Sequence, residues 1–201
     1  MFKNVTGVIL AGGDSSRMGH NKAAVEFDGL PLVKKTVMLF KKLFPEVIVV
    51  SRITGKYGDL GCREVCDIFP QKGAIIGILT GLVNSSTEYI FTAACDMPFL
   101  QEDVISLIVL KGQRSSVCLP ELSGKKHPLH ALYSKKCRDP IIRFIEEGNK
   151  SIIRFVASLR AKEIKTITDE EIIRVDPEAL SLFNMNTPAE LEIARKLILK
   201  K

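Results

Sequence analysis

Near its amino end the chain reads Leu10-Ala11-Gly12-Gly13-Asp14-Ser15-Ser16-Arg17-Met18-Gly19-His20-Asn21-Lys22. Glycines in such a run let backbone amides approach an anion closely. Arg17 adds a planar fork of donors and Lys22 a mobile point charge. Glycines with two cations suit a polyphosphate better than a single neutral group. The string fits neither GxxxxGK[ST] nor GxGxxG, so it is neither a P-loop nor a dinucleotide fingerprint. Farther on, Cys95-Asp96-Met97-Pro98 offers a carboxylate stiffened by a nearby proline. Magnesium takes one or two carboxylates plus substrate phosphates, and Asp96 suits that role, although a turn or capping aspartate looks the same in sequence.

Two more strings carry polar groups. Asp67 is followed by Gly73-Ala74-Ile75-Ile76-Gly77. Gly73 and Gly77 permit a flat base or a ribose to lie against the backbone, or equally a helix to pack tightly. Asn184-Met185-Asn186-Thr187-Pro188 precedes a helix start. Capping needs only Thr187, which leaves the amides of Asn184 and Asn186 for a polar ligand. Lys125-Lys126-His127-Pro128 reads as a solvated basic turn, with a rim for a second anion as the sharper alternative.

These groups need elements that bring them together. Val5 to Leu10 and Val47 to Val50 are short apolar β-branched runs, as expected of strands buried on both faces. Glu88 to Ala94 and Ser116 to Leu119 read the same way. Shorter strands are expected at Glu64 to Cys66, Leu129 to Tyr133 and Lys162 to Ile167. Helical spacing marks Pro31 to Phe44, Gly73 to Val83, Gln101 to Leu110, Pro140 to Glu147, Ser151 to Leu159 and Pro188 to Leu199. Strands alternating with helices predict an α/β fold, a three-layer sandwich around a mainly parallel sheet. In such sheets ligands sit at the carboxyl ends of the strands, which is where the polar strings fall.

The bulk composition narrows the class. With 201 residues and 46% hydrophobic content, one sizeable core and a single domain over residues 1–201 are expected. A formal charge of +6 favours anionic partners without choosing among them. The opening apolar run is too short for a signal peptide, and no stretch approaches a spanning helix, so a cytoplasmic protein with no membrane partner is expected. Five cysteines without a CxxC pair argue against a disulfide framework or a structural zinc site. All five read best as small buried hydrophobes, with Cys62 and Cys66 spaced to meet on one helix face. Three histidines leave little room for a multi-histidine metal cluster.

The strings LAGGDSSRMGHNKA, CDIFPQKGAIIG, ACDMP, HPLHALY and NMNTP occur in that order from about residue 5 to residue 195. Together they resemble the molybdenum cofactor guanylyltransferases, a branch of the α/β nucleotidyltransferases of Rossmann-like type. The first string belongs to the wider group, and the LAGG form with N-x-N-T-P narrows it to the molybdopterin branch. The resemblance implies transfer of GMP from GTP to the terminal phosphate of molybdopterin, with release of pyrophosphate. It implies that Leu10, Ala11, Gly12 and Gly13 contact the nucleotide through backbone and that Lys22 holds phosphate beside Arg17. Asp67 and the turn from Gly73 to Gly77 would surround ribose and guanine. Asp96 would bind Mg²⁺, and Asn184 and Asn186 would face the pterin phosphate. GTP and molybdopterin are the implied substrates, with transient contact to proteins that deliver or accept the cofactor. The chain departs from the family at two places. It has Gly73-Ala74-Ile75-Ile76-Gly77 where Gly-Pro-Leu-Ala-Gly is common, and Val50-Ser51-Arg52 where an asparagine often ends the second strand.

Nucleotidyl transfer asks for in-line placement and charge neutralisation rather than covalent catalysis. A phosphate monoester is largely ionised near neutral pH and needs no general base. Arg17, Lys22 and Asp96 are therefore the expected catalytic set. Two alternatives remain at this point. One is a cytidylyl- or sugar-phosphate nucleotidyltransferase on the same loop and aspartate. The other is a non-catalytic nucleotide- or nucleic-acid-binding module, for which the +6 charge speaks. Against a nucleic-acid partner stand 6% aromatic residues, no tryptophan and no basic stripe interleaved with aromatics.

Overall fold

The computed structural model describes residues 1–12, 26–27, 29–69 and 73–198. Gly13, Arg17 and Lys22, named above from sequence, lie outside the described residues.

The first strand, β1 (Val5–Leu10), is buried throughout. Side chains alternate across a strand, so Val5 and Ile9 face one hydrophobic layer and Val8 and Leu10 the other. A small hairpin follows, β2 (Glu26–Phe27) with β3 (Leu30–Pro31), turned at Gly29 with φ 76°. Helix α1 (Leu32–Leu43) buries Leu32, Val33, Thr36, Val37, Phe40 and Leu43 on one stripe. Then come β4 (Glu46–Ser51), β5 (Arg63–Cys66), α2 (Ala74–Asn84), β6 (Tyr89–Ala94) and α3 (Glu102–Gly112). The second half holds β7 (Val117–Leu122), β8 (Lys125–Lys126), β9 (Ala131–Ser134), α4 (Arg138–Glu146) and α5 (Ile152–Ser158). It closes with β10 (Ile164–Ile167), α6 (Asp169–Val175) and α7 (Pro188–Ile198).

The sheet order is β10-β7-β9-β6-β1-β4-β5, with β8 paired to β7. β1 is parallel to both β4 and β6, β5 to β4, and β10 to β7. β9 runs against both its neighbours, β6 and β7, and the short β8 runs against β7. The physical reason is the connection. Only residues 123–130 separate β7 from β9, and they turn back through β8, too few for the crossover that a parallel partner requires. One apolar layer gathers α1, α3 and α6 on one face, and the other gathers α2, α4 and α5 on the opposite face. This is the expected three-layer α/β sandwich.

Three glycines are set by this packing. A β-carbon at Gly7 would lie 2.5 Å from Phe40 Cδ2, one at Gly81 2.8 Å from Val8 Cγ1, and one at Gly112 2.5 Å from Cys118 Cβ. Each marks a place where a helix lies close on the sheet.

Several expectations are corrected. Helix α6 falls where no element is expected, and its cap explains it. Thr168 and Glu171 form a reciprocal capping box. Cys95, Cys118 and Cys137 are buried, but Cys62 is only half-buried and Cys66 is exposed. Cys66 ends β5 and Cys62 precedes it, so the two share no helix face. In the helix expected over Ser151 to Leu159, Ile153 is 59% exposed, while Ile152, Phe155 and Val156 are buried. No helix among the described residues is long and apolar enough to cross a membrane.

Candidate active site

The chain leaves β1 through α1 on one face and reaches β6 through α2 on the other. The strand order therefore reverses beside β1, the position at which open α/β sheets bind ligands. Three backbone bonds carry the parallel register past the strand ends. Ala11 N donates to Val50 O at 2.8 Å, Cys95 N to Leu10 O at 3.1 Å, and Asp67 N to Ser51 O at 3.0 Å. Asp96, Gly12, Arg52 and Asp67 thus follow the carboxyl ends of four adjacent strands, β6, β1, β4 and β5.

Gly12 and Asp67 are close neighbours. A β-carbon at Gly12 would lie 3.3 Å from Asp67 Oδ2 and 3.9 Å from Arg52 Cγ. Asp67 is half-buried, and its Oδ1 is buried without a hydrogen bond among the described residues. Burial raises its pKa, against which the Arg52 charge and the Thr80 hydroxyl act. That hydroxyl is shared, since it donates to Ile76 O at 2.9 Å and accepts from Ile68 N at 3.1 Å.

Gly77 sits on the other side of Asp67. A β-carbon there would lie 3.0 Å from Leu10 Cδ2 and 3.8 Å from Asp67 Oδ1. Close packing of α2 on β1 is thus sufficient reason for this glycine. Ile76 is fully buried in the core under α2, so it turns away from the site. Gly73 precedes α2 with φ 155° and ψ 144°, a conformation that side chains resist. Ser51 does not replace the missing asparagine as a ligand. It is buried, and its hydroxyl donates to Ile53 O at 2.8 Å.

On the β6 side, Asp96 is half-buried and its Oδ1 is fully enclosed. Met185 N donates to Asp96 O at 2.9 Å, which brings the Asn184 to Asn186 segment against the end of β6. Asn184 Oδ1 is buried without a hydrogen bond among the described residues. Asn186 is exposed, and its N–H donates to Glu190 Oε2 at 2.6 Å. Thr187 Oγ1 accepts from Glu190 N at 3.2 Å, so threonine supplies the cap and the two amide side chains are not needed for it. An anchor holds this segment, since Met185 packs with Leu32 and Ala194, against Phe99, Phe183 and Leu191.

Lys125 and Lys126 form β8 against the end of β7, and Lys126 Nζ lies 4.0 Å from Glu121 Oε2. His127 N donates to Pro120 O at 2.9 Å, and burial, aided by Lys125, lowers the pKa of its ring. A largely structural hairpin accounts for this string. Tyr57, in the polar segment after β4, was not singled out by sequence. Its hydroxyl donates to Ala11 O at 2.9 Å and fastens that segment onto the residue that follows β1. The signal available was position alone, because the segment follows a strand's carboxyl end.

Among the described residues no group of three or more His, Cys, Asp or Glu could hold a metal ion. Asp96, with Asn184 on the segment bonded to its backbone, offers hard oxygens that suit a divalent cation completed by substrate phosphates. A mainly parallel sheet with a glycine and carboxylates following the strand ends at its switch point is the arrangement of an α/β nucleotidyltransferase. Residues 7–163 match the MobA-like NTP transferase domain, and the chain belongs to that family. It is 34% identical over 196 residues to the molybdenum cofactor guanylyltransferase of Desulfosudis oleivorans, covering 96% of each chain. It is 32% identical to the probable molybdenum cofactor guanylyltransferase of Natranaerobius thermophilus, covering 98% of each. In fold it is similar to the molybdopterin-guanine dinucleotide biosynthesis protein A of Archaeoglobus fulgidus, with TM-score 0.85 at 24% identity, covering 98% of this chain and all of the other.

Proposed function

We propose that this chain, acting as a single nucleotidyltransferase domain, transfers GMP from GTP to the terminal phosphate of molybdopterin. The products are the guanine dinucleotide cofactor and pyrophosphate. Near-full-length relatives that carry the guanylyltransferase name support this reading. The observation that carries it within the molecule is the bond from Met185 N to Asp96 O at 2.9 Å. It joins the nucleotide side of the site to the asparagines assigned to the acceptor side, and an in-line transfer must span that seam.

In the reaction a terminal oxygen of the molybdopterin phosphate attacks the α-phosphorus of GTP. The bond from the α-phosphorus to the oxygen bridging to the β-phosphorus breaks, and that oxygen leaves with pyrophosphate. No proton has to be removed, since the attacking phosphate is already ionised near neutral pH. The backbone of Leu10, Ala11, Gly12 and Gly13 receives the nucleotide. Arg17 and Lys22 neutralise the charge that accumulates on the leaving pyrophosphate. Asp96 and Asn184 are the residues that would hold Mg²⁺. When bound, the ion neutralises phosphate oxygens as a Lewis acid. Asn186 and Asn184 orient the acceptor phosphate. The reading places the enzyme in the cytoplasm, with no nucleic-acid or membrane partner and with transient contact to proteins that supply or take the cofactor.

The test is pyrophosphate release by purified protein with molybdopterin and each nucleoside triphosphate in turn. Release with GTP and molybdopterin together, and with neither alone, is expected. Release with CTP or UTP in preference to GTP would favour the cytidylyl- or sugar-phosphate reading instead.

A further inference from the structure

The segment after β4 carries a cation that the transfer chemistry does not use. Arg52 is exposed at the end of β4, and its stem packs beside Gly12, with Cγ 3.9 Å from where a β-carbon would be. Asp67 Oδ2 borders the same point at 3.3 Å. A β-carbon at Gly12 would crowd the carboxylate and touch the stem, so the bare glycine lets a guanidinium stem and a carboxylate stand together as one wall beside the end of β1. Two bonds fix that wall. Tyr57 OH holds the segment to Ala11 O at 2.9 Å, and Asp67 N is held by Ser51 O at 3.0 Å. The Ser51 hydroxyl is buried and its proton is taken by Ile53 O at 2.8 Å, so it does not donate to this wall.

A wall of this kind reads hydrogen bonds. Asp67 can only accept, on two oxygens, and one of them is buried with no donor among the described residues. Arg52 can only donate. Guanine presents the complementary edge, with N1–H and the N2 amino group side by side as donors and O6 next to them as acceptor. Adenine reverses part of that order, since its amino group lies where guanine has O6. A donor aimed there by Arg52 would meet another donor. Hypoxanthine keeps O6 and N1–H but lacks the N2 amino group.

We propose that Arg52 is a specificity-determining residue for this nucleotide site, donating to guanine O6 while Asp67 accepts from N1–H and the N2 amino group. The proposal rests on the nucleotidyl-transfer reading and deepens it by assigning the base-reading side chains. It makes Arg52 this chain's replacement for the asparagine common at the end of that strand.

The experiment is calorimetric binding of Mg²⁺ complexes of GTP, ITP and ATP to the whole chain, read without turnover. Wild-type protein is expected to bind GTP about 10-fold more tightly than ITP and more tightly still than ATP, since each hydrogen bond to a charged group is worth about one to two decades. Arg52→Ala should weaken GTP and ITP by about 10- to 100-fold and leave ATP unchanged or improved, so the preference for guanine over adenine collapses. Arg52→Lys should recover part of it. Asp67→Asn should erase the difference between GTP and ITP. Arg63→Ala serves as a charge control, because Arg63 opens β5 at the opposite end from Asp67 and bonds to Asn84. It should change none of these ratios. Equal weakening of all three nucleotides by Arg52→Ala would mean a phosphate contact and would overturn the assignment alone. Failure of wild-type protein to bind any of them would overturn the transfer reading as well.

Discussion

The two ends of the sheet treat polar groups in opposite ways. At the amino ends of the strands, Glu46 Oε2 accepts from Thr6 Oγ1 at 2.7 Å, from Ser86 N at 2.9 Å and from Ser86 Oγ at 2.8 Å. Ser134 Oγ donates to Glu88 Oε1 at 3.0 Å, and Thr87 Oγ1 donates to Tyr89 O at 2.7 Å. That end is closed upon itself. At the carboxyl ends, buried oxygens of Asp67 and Asn184 have no such partners among the described residues. An unmet buried oxygen costs stability, and folding alone gives no reason to keep it. A ligand does. The amino end holds the strands in register, whereas in the proposed function the carboxyl end meets substrate.

The contrast predicts that substitutions at the carboxyl end remove function and spare stability. The largest effect on the proposed function belongs to Lys22, the cation assigned there to the phosphates: Lys22→Ala should lower turnover about 10²- to 10³-fold, as loss of one transition-state donor does. Steady-state rates at saturating GTP check this, and a normal rate would remove Lys22 from the site. Asp96→Asn comes next. The Mg²⁺ concentration giving half-maximal rate should rise roughly 10- to 100-fold, by analogy with losses around other metal sites. A superimposable Mg²⁺ titration would take Asp96 out of the metal site.

Substitution at the amino end should do the reverse. Glu46→Ala strands three donors and should cost about 1–3 kcal/mol of stability, a fall in Tm of roughly 2–12 °C, with kcat unchanged. Burial works against the charge on Glu46, but the Ser86 amide, the Thr6 and Ser86 hydroxyls and Arg63 outweigh it and hold its pKa low. Its share of stability is therefore present above the ordinary carboxylate range and is lost as the pH falls through its lowered pKa. If Glu46→Ala abolished activity in protein that remained folded, the division between the two ends would fail.

His130 sharpens the comparison, because its polar atoms are unmet yet unreachable. It is 1% exposed, packs edge-on to Phe91 with ring centroids 5.1 Å apart, and neither ring nitrogen has a hydrogen bond among the described residues. Burial pushes its pKa down to about 3, with a further push from His127. The unfolded chain therefore takes up this proton first. Stability is fully present above pH ~6.5 and falls by up to about 1.4 kcal/mol per pH unit as the pH drops toward the folded value. Chemical unfolding between pH 7 and pH 5 should show this slope, and His130→Leu should flatten it. The smallest effect is on Asp67. Its raised pKa means that its charge is held at a cost, so Asp67→Asn should leave the Tm of ligand-free protein unchanged or higher at pH 7 while weakening GTP. A clear loss of ligand-free stability would show that the carboxylate is structural.

Much of this contrast is legible in the sequence, and the remainder has identifiable causes. Short apolar runs mark β1, β4 and β6 because strands buried on both faces need no alternation. Aspartates just past such runs, Asp67 and Asp96, then stand at the ligand-binding ends. The reversed direction of β9 is a property of loop length, and periodicity does not encode it. Helix α6 was legible in Thr168-Asp169-Glu170-Glu171 as a capping box, although its apolar pattern is brief. Arg52 and Tyr57 sit in a polar segment without periodicity, so only the folded chain shows them against the residues that follow β1. Gly77 illustrates the converse. The glycine is evident in sequence, but its reason, the 3.0 Å approach to Leu10, is a packing fact.

The most direct measurement is amide hydrogen exchange of the whole chain with and without Mg²⁺ and GTP. Protection is expected to rise at residues 10–12, 67–77 and 95–98, and to stay unchanged at residues 4–6, 46 and 86–89. No change anywhere, or protection confined to the amino ends of the strands, would contradict the placement of the nucleotide at the open end of the sheet.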